Sequence, residues 1–382
     1  MSEYDNNGAE QGTASVLAQG IEQLTNLNDL RQRIDAIDGE LLSLISARAR
    51  CAQQVAAVKL GEDPNAVFYR PEREAQVLRR IMELNPGPLP DEQMAHLFRE
   101  FMSACLALER PIKVAYLGPE GTFTQQAALK HFGNFADAQP LPSIDDVFRE
   151  VEAGAASYGV VPVENSTEGV VNHTLDSFIN SNIRICGEVV LRIHHNLMAG
   201  ENTRCDKISR IYSHPQSLAQ CRQWLDARYP HAERVAVSSN AEAARMVKGE
   251  WHSAAIAGDM AALHYGLTII NEKIEDRPDN STRFLMIANS DVPPSGDDKT
   301  SLVVSMRNQP GALHDLVRPL HEHGVDMTRV ETRPSRSGIW NYVFFIDIKG
   351  HRAEPNIAAA LKEMAECAAE LKVLGSYPVG VL

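Results

Sequence analysis

The chain has 382 residues, 44% of them hydrophobic, with 37 Lys and Arg against 50 Asp and Glu for a net charge of −13. At ~150 residues per domain that length holds about two or three domains, each with a real core. The acidic balance argues against a nucleic-acid or anionic-membrane partner, so any anionic substrate must be held by local Arg and Lys.

The start, MSEYDNNGAEQGTAS, is polar and acidic, which predicts a disordered tail over 1–23 and no leader. No apolar run approaches ~18 residues, so a cytoplasmic protein is expected, and the sequons at Asn165, Asn172 and Asn280 then carry no meaning. From Leu30 to Val58 apolar residues recur at 30, 34, 37, 41, 44, 51, 55 and 58, the seam of a long packed helix that Gly39 weakens. Position 48 breaks the seam with Arg48, which must meet an anion or reach out to solvent. Lys59, eleven residues on, returns to nearly the same face. Arg31 lies 17 residues before Arg48, roughly 25 Å along the helix, so one small ligand cannot touch both on one chain. If all three serve one site, Arg31 comes from a second copy; the plainer alternative is a solvated surface charge.

Two shorter helices follow, one opened by Pro71 and stopped at Pro86-Gly87, the other running from Pro90 to Pro111. Three helices, one without a full partner surface, suggest half of an intertwined helical dimer. After Pro111 the pattern is α/β: strand 113–117, helix 123–131, helix 143–153 and strand 158–163. Glu164 to Thr167 then break the chain into a turn, and Glu168 opens an amphipathic run expected to be helical. A helix N-terminus and small polar side chains at a strand's carboxyl end suit an anion. Ile183 to Ala199 reads as strand and crossover. Strand 208–212, a turn at 213–216, helix 217–228, strand 234–238, helix 240–250, strand 253–257 and helix 259–265 follow. A second polar turn, Asp279 to Phe284, leads into strand 284–288. Two α/β lobes with two crossings imply a cleft. Residues 291–299 form a Pro/Gly/Asp linker. Strand 301–307, helix 311–323, strands 326–332 and 340–348, helix 355–369 and strand 371–375 then make a ferredoxin-like β-α-β-β-α-β unit. The six cysteines are scattered, with no CxxC pair and no metal spacing. The adjacent His194 and His195 point to opposite faces of a strand, which makes metal ligation a poor reading.

The stretches YLGPEGTFTQQAA (116–128), VPVENSTEG (161–169), YSHPQSLAQC (212–221), NSTRF (280–284), GALHDL (311–316) and VETRP (330–334) carry a resemblance. The sequence resembles the bifunctional chorismate mutase/prephenate dehydratase family of bacterial phenylalanine synthesis. The resemblance implies an all-α chorismate mutase domain, intertwined in a dimer, over 24–110. It implies a two-lobed, periplasmic-binding-protein-like α/β dehydratase domain over 112–290, a linker at 291–299 and a ferredoxin-like ACT domain over 300–378. The expected activities convert chorismate to prephenate and prephenate to phenylpyruvate, without a cofactor or metal, in a homodimer or higher homo-oligomer that phenylalanine inhibits.

For the mutase, the resemblance implies Arg48, Lys59 and Arg73 from one subunit and Arg31 from the other, with Arg70, Glu74 and Cys105 around the substrate and Glu109 at its ether oxygen. The rearrangement needs no proton transfer, only a dicarboxylate held compact and charge stabilised on that oxygen. This chain departs from the family pattern at Arg70 and Cys105, where some relatives have an acid and a serine, and at Glu109, where a glutamine stands. An ionised Glu109 repels the ether oxygen, so mutase activity is expected to favour mildly acidic pH. For the dehydratase, Thr282 is implied as the catalytic centre, with Arg283 and Phe284 beside it and Thr122, Asn165, Ser166, Ser213 and Gln216 around the substrate. A threonine hydroxyl is too weak an acid to give up its proton, so Thr282 reads as a hydrogen-bond donor, relayed from water, Glu164 or Glu168. Gly311, Ala312, Leu313, Glu331 and Arg333 are the implied phenylalanine contacts. Two rival readings are an amino-acid-sensing binding protein without catalysis and an arogenate dehydratase.

Overall fold

The structure is a computed structural model that describes residues 26–63, 66–306, 309–334 and 342–381. The expected tail over 1–23 and the ends of two expected strands, at 307 and 340–341, lie outside the described residues. The chain divides into two compact units at Ala66 and Val67. The first is one long helix, α1 (Leu27–Glu62), whose N-cap Asn26 accepts the N–H groups of Asn28 and Asp29. Its apolar seam is uncovered: Ile34, Leu41, Leu44, Val55 and Val58 are all exposed.

The second unit opens with α2 (Pro71–Leu84) and α3 (Asp91–Glu109), packed on each other through Leu78, Ala95 and Met102. They are fastened to the α/β region that follows. Arg99 donates to the Lys130 carbonyl at 3.0 Å, and Tyr69 packs against Phe132 and Tyr158.

A six-stranded sheet comes next, built from β1 (Lys113–Leu117), β2 (Asp137–Leu141), β3 (Tyr158–Asn165), β4 (Gly169–Val170), β5 (Arg184–Arg192) and, much later, β11 (Ser281–Ala288). Its order is β2-β1-β3-β11-β5, with β4 pairing on β3. The helices α4 (Phe123–Phe132), α5 (Ile144–Glu152) and α6 (Asn172–Asn180) connect these strands. The chain then crosses to a five-stranded sheet made of β6 (Asn196–Ala199), β7 (Arg210–Ser213), β8 (Glu233–Ala236), β9 (Ser253–Ala257) and β10 (Thr268–Asn271). Its order is β10-β6-β9-β7-β8, and α7 (Pro215–Gln220), α8 (Arg222–Arg228), α9 (Asn240–Val247) and α10 (Asp259–Tyr265) accompany it.

Four details differ from the sequence reading. The helix expected to open at Glu168 starts at Asn172, because Gly169, at a φ of 82°, lets the chain close a hairpin in which Asn165 pairs with Gly169. The helix therefore begins beyond that hairpin and does not follow the turn directly. The second polar turn is only Asp279-Asn280; Ser281, Thr282, Arg283 and Phe284 already belong to β11. Helix 217–228 is two helices that meet at Cys221. The unexpected β2 contains Pro140 and lacks alternation, which an edge strand tolerates.

The last part comprises β12 (Asp298–Met306), α11 (Ala312–Glu322), β13 (Met327–Pro334), β14 (Tyr342–Lys349), α12 (Pro355–Cys367) and β15 (Glu370–Pro378). The antiparallel sheet runs β13-β14-β12-β15. Strand alternation divides its side chains. Leu302, Val304, Phe344, Ile346 and Ile348 pack under the two helices. Val303, Val343, Phe345, Leu374 and Tyr377 point the other way and join one core with Val161, Val163, Phe178 and Leu285 of the six-stranded sheet region. At the closest approach, a Cβ on Gly375 would lie 2.2 Å from the Ile185 carbonyl oxygen, so only glycine fits between β15 and β5.

Candidate active site

Asn165 and Thr282 stand directly opposite each other across β3 and β11. Asn165 Nδ2 donates to Thr282 Oγ1 at 2.8 Å and to Asn280 Oδ1 at 3.0 Å. The other end of the amide is fixed, since its Oδ1 accepts the N–H groups of Thr167 at 2.9 Å and Glu168 at 3.0 Å. That use of the oxygen settles the amide's orientation and leaves its NH2 toward Thr282. Thr282 Oγ1 accepts this bond, which leaves its own O–H to donate.

Asn280 is buried and ties this pair to the other sheet. Its Oδ1 also accepts Thr167 Oγ1 at 3.2 Å, and its Nδ2 donates to Gln220 Oε1 at 3.1 Å. Gln220 Oε1 also takes His195 Nε2 at 2.8 Å, and Gln220 Nε2 donates to Glu168 Oε1 at 3.4 Å. Burial holds His195 below the usual histidine range, so it is neutral and its Nε2–H is the donor. Ser166 is stitched to β11: its N–H donates to the Ser281 carbonyl at 2.8 Å, and its Oγ accepts the Ser281 N–H at 2.9 Å.

The structure thus brings Asn165, Ser166 and Thr282 together. Thr122 caps α4 at the end of β1, accepting the Gln125 N–H. Ser213, fully buried, spends its hydroxyl on Asn240 Oδ1 and the Ile256 carbonyl, while Gln216 is exposed in the first turn of α7. Two residues expected beside Thr282 are placed elsewhere. Phe284 is 1% exposed, in a core with Tyr116, Phe132 and Val160. Arg283 projects to the opposite face of β11 and donates to Glu188 at 2.8 Å, Asp347 at 2.6 Å and the Tyr377 hydroxyl at 3.0 Å. Burial alone would lower its pKa, but Tyr377, Asp347 and Glu188 outweigh burial and raise it. Glu164 pairs with Arg329 at 2.8 Å, and His194 Nδ1 lies 2.7 Å from Glu275. Sequence reasoning gave Asn280, Gln220 and Arg329 no role. Both amides lie inside recognised motifs, and an amide that folding buries must find partners, which was the available signal.

On α1, Arg31 and Arg48 are exposed and Lys59 is half-buried. In the second unit Arg70 pairs with Glu72 at 2.6 Å, Arg73 is exposed, and Cys105 and Glu109 lie one turn apart on α3. Glu74 sits against Arg99 at 3.2 Å, and burial pushes its carboxyl up to about 7 despite that guanidinium. Gly311, Ala312 and Leu313 line a pocket with Met306, Tyr342 and Phe344. Glu331 and Arg333 are not part of it; Arg333 is bound to Asp176 at 2.8 Å and to the Asn172 carbonyl at 2.6 Å.

Three families match in succession: Chorismate mutase type II over residues 30–110, Prephenate dehydratase over 114–292 and ACT domain over 300–366. Together they define an enzyme with an isomerase and a lyase on one chain, followed by an ACT domain. The bifunctional chorismate mutase/prephenate dehydratase of Pseudomonas aeruginosa is 67% identical over 359 residues, 93% of this chain and 98% of that protein. The protein of that name from Neisseria gonorrhoeae is 52% identical over 368 residues, 96% of this chain and all of that protein. The chain belongs to the family of bifunctional chorismate mutase/prephenate dehydratases. Among solved structures, the prephenate dehydratase from Arthrobacter aurescens in complex with L-Phe shares 33% identity at a TM-score of 0.65, covering 70% of this chain and 90% of that one.

Proposed function

We propose that phenylpyruvate forms at the Asn165–Thr282 pair, a reading carried by the 2.8 Å bond from Asn165 Nδ2 to Thr282 Oγ1. Loss of carbon dioxide breaks the bond between ring and carboxylate. The released electron pair enters the ring and expels the hydroxyl from the opposite carbon. Thr282 stabilises the departing oxygen by donating the O–H that Asn165 has aimed, without becoming a formal acid. Of the two neighbouring acids, Glu168 joins the Gln220–Asn280 network, while Glu164 is committed to Arg329 on the other face. Thr122, Ser166 and Gln216 complete the substrate contacts where the two sheets, as lobes of a solute-receptor-like body, enclose a cleft, and Ser213 acts from behind by holding Asn240. Arg222 and Arg277, exposed beside Asn280, line a cavity of about 310 Å³ together with Glu168, Glu275 and Asp276, and they are the cations there that can meet a dianion.

The chorismate step uses the cations of α1: Arg48 and Lys59 of one copy and Arg31 of a second. The reach argument and the exposed seam of α1 both support this pairing. The protein is a cytosolic homodimer, and phenylalanine inhibits the dehydratase from the pocket at Gly311–Leu313, while Glu331 and Arg333 serve the contact with the dehydratase region. The centre is tested with Thr282→Ala: phenylpyruvate formation falls by at least about a hundredfold while chorismate is still consumed at the native rate. A Thr282→Ala enzyme that still makes phenylpyruvate at a near-native rate refutes the assignment.

A further inference from the structure

The strands that carry Asn165 and Thr282 are gripped one residue away from that pair, on the opposite face, by the ACT sheet. Pairing of Asn165 with Thr282 places Glu164 opposite Arg283. Glu164 is held by Arg329 of β13 at 2.8 Å, and Arg283 by Asp347 of β14 at 2.6 Å and by Tyr377 of β15 at 3.0 Å. Arg329, Glu331 and Arg333 recur at every second residue, so they share the face of β13 turned to the dehydratase region. Arg329 is a costly way to make this contact: its Nη2 is buried with no hydrogen-bond partner among the described residues.

We propose that Arg329 is a positioning residue for the dehydratase: by fixing Glu164 it sets the adjoining Asn165 amide against Thr282, and a shift of β13 is read directly at the reacting groups. This rests on the reading of Asn165 and Thr282 as the dehydratase centre. A side chain that only holds the fold would affect both activities through stability. A positioning residue instead lowers dehydratase kcat, because Asn165 and Thr282 act on the leaving oxygen in the transition state, and it leaves KM and the mutase alone.

The experiment uses the full chain and the variants Arg329→Gln, Glu164→Gln, their double and Asn165→Ala, with prephenate and chorismate assayed separately. In Arg329→Gln, dehydratase kcat is expected to fall by about 10- to 100-fold, the range of an ångström-scale misplacement. KM, mutase rate and melting temperature stay native, and the double variant is no worse than the worse single. Calorimetry should show phenylalanine bound to Arg329→Gln with native affinity, while the dehydratase no longer responds to it. The proposal is overturned by a kcat within about twofold of native, by mutase and dehydratase falling together, or by additive losses in the double variant. A native kcat in Asn165→Ala removes the reading of the centre, and the relay with it. A native kcat in Arg329→Gln alone removes only the relay.

Discussion

Replacing Gly375 by alanine tests how tightly the ACT sheet is joined to the dehydratase region. The added Cβ would lie 2.2 Å from the Ile185 carbonyl oxygen, 2.9 Å from its nitrogen and 3.0 Å from its carbonyl carbon. All three are backbone atoms of β5, a strand bonded on its inner side to β11, so no side chain can swing aside. Relief requires β15 to back away by about an ångström, enough to forfeit much of the local dispersion contact. Overpacking of this kind costs about 1–3 kcal/mol. The same movement loosens the Arg283 contacts to Asp347 and Tyr377, and a buried cation losing its partners costs about 3–5 kcal/mol when the break is complete. A partial break leaves an expected loss of about 3 kcal/mol, read as a drop on the order of 5 °C in the first melting transition of the full chain. Dehydratase activity should fall with it, and mutase activity should persist below that transition. Native melting and native dehydratase kcat in Gly375→Ala would refute the close approach and the joined core built on it.

Two further outcomes follow from other parts of the chain. Burial raises Glu74 to about 7, so the folded state favours its protonated form; that stability is full below the unfolded pKa near 4.5 and is lost as pH rises through 7. Glu74→Gln should therefore melt increasingly higher than native as pH goes from 5 to 8; the comparison isolates Glu74, because His131, held by burial at about 3, drives stability the opposite way below pH 6.5 in both proteins. Arg31→Ala and Arg48→Ala are each expected to abolish mutase activity, and mixing them with subunit exchange should restore about one quarter of it, since half the dimers are mixed and each mixed dimer has one intact site; no recovery means that Arg31 acts within its own chain.

What the sequence made legible follows its local periodicities. The seam of α1 and the alternation of strand and helix from Lys113 onward depend on residues close in the chain, and the elements appear where these patterns place them. The misreadings have local causes too. Val170 and Val171 satisfy a helical face and a short strand equally, and the residue that decides is Gly169, whose positive φ turns the chain back on β3. Ser281 to Phe284 look like a turn because two are small and polar, yet their pairing with β5 and β3 draws them into β11. The least legible part is the seam with the ACT sheet. Its members are far apart in sequence, as with Glu164 and Arg329 or Arg283 and Asp347, and no spacing rule links them.

The placement of Arg283 shows why a motif can join residues with different tasks. Thr282 and Arg283 are neighbours, and the two-residue period of a strand sends them to opposite faces. One face meets Asn165; the other meets a buried set formed by Glu188, Lys299, Asp347 and Tyr377. Apolar burial through Val303, Phe345 and Leu374 already supplies adhesion between the sheets. Buried ion pairs add little to that, because desolvation offsets most of their attraction. They are directional, however, and an apolar surface that can slide becomes one with a fixed register once Arg283 must meet Asp347 and Arg329 must meet Glu164. A sheet that must report its position to Thr282 needs that register more than it needs further adhesion.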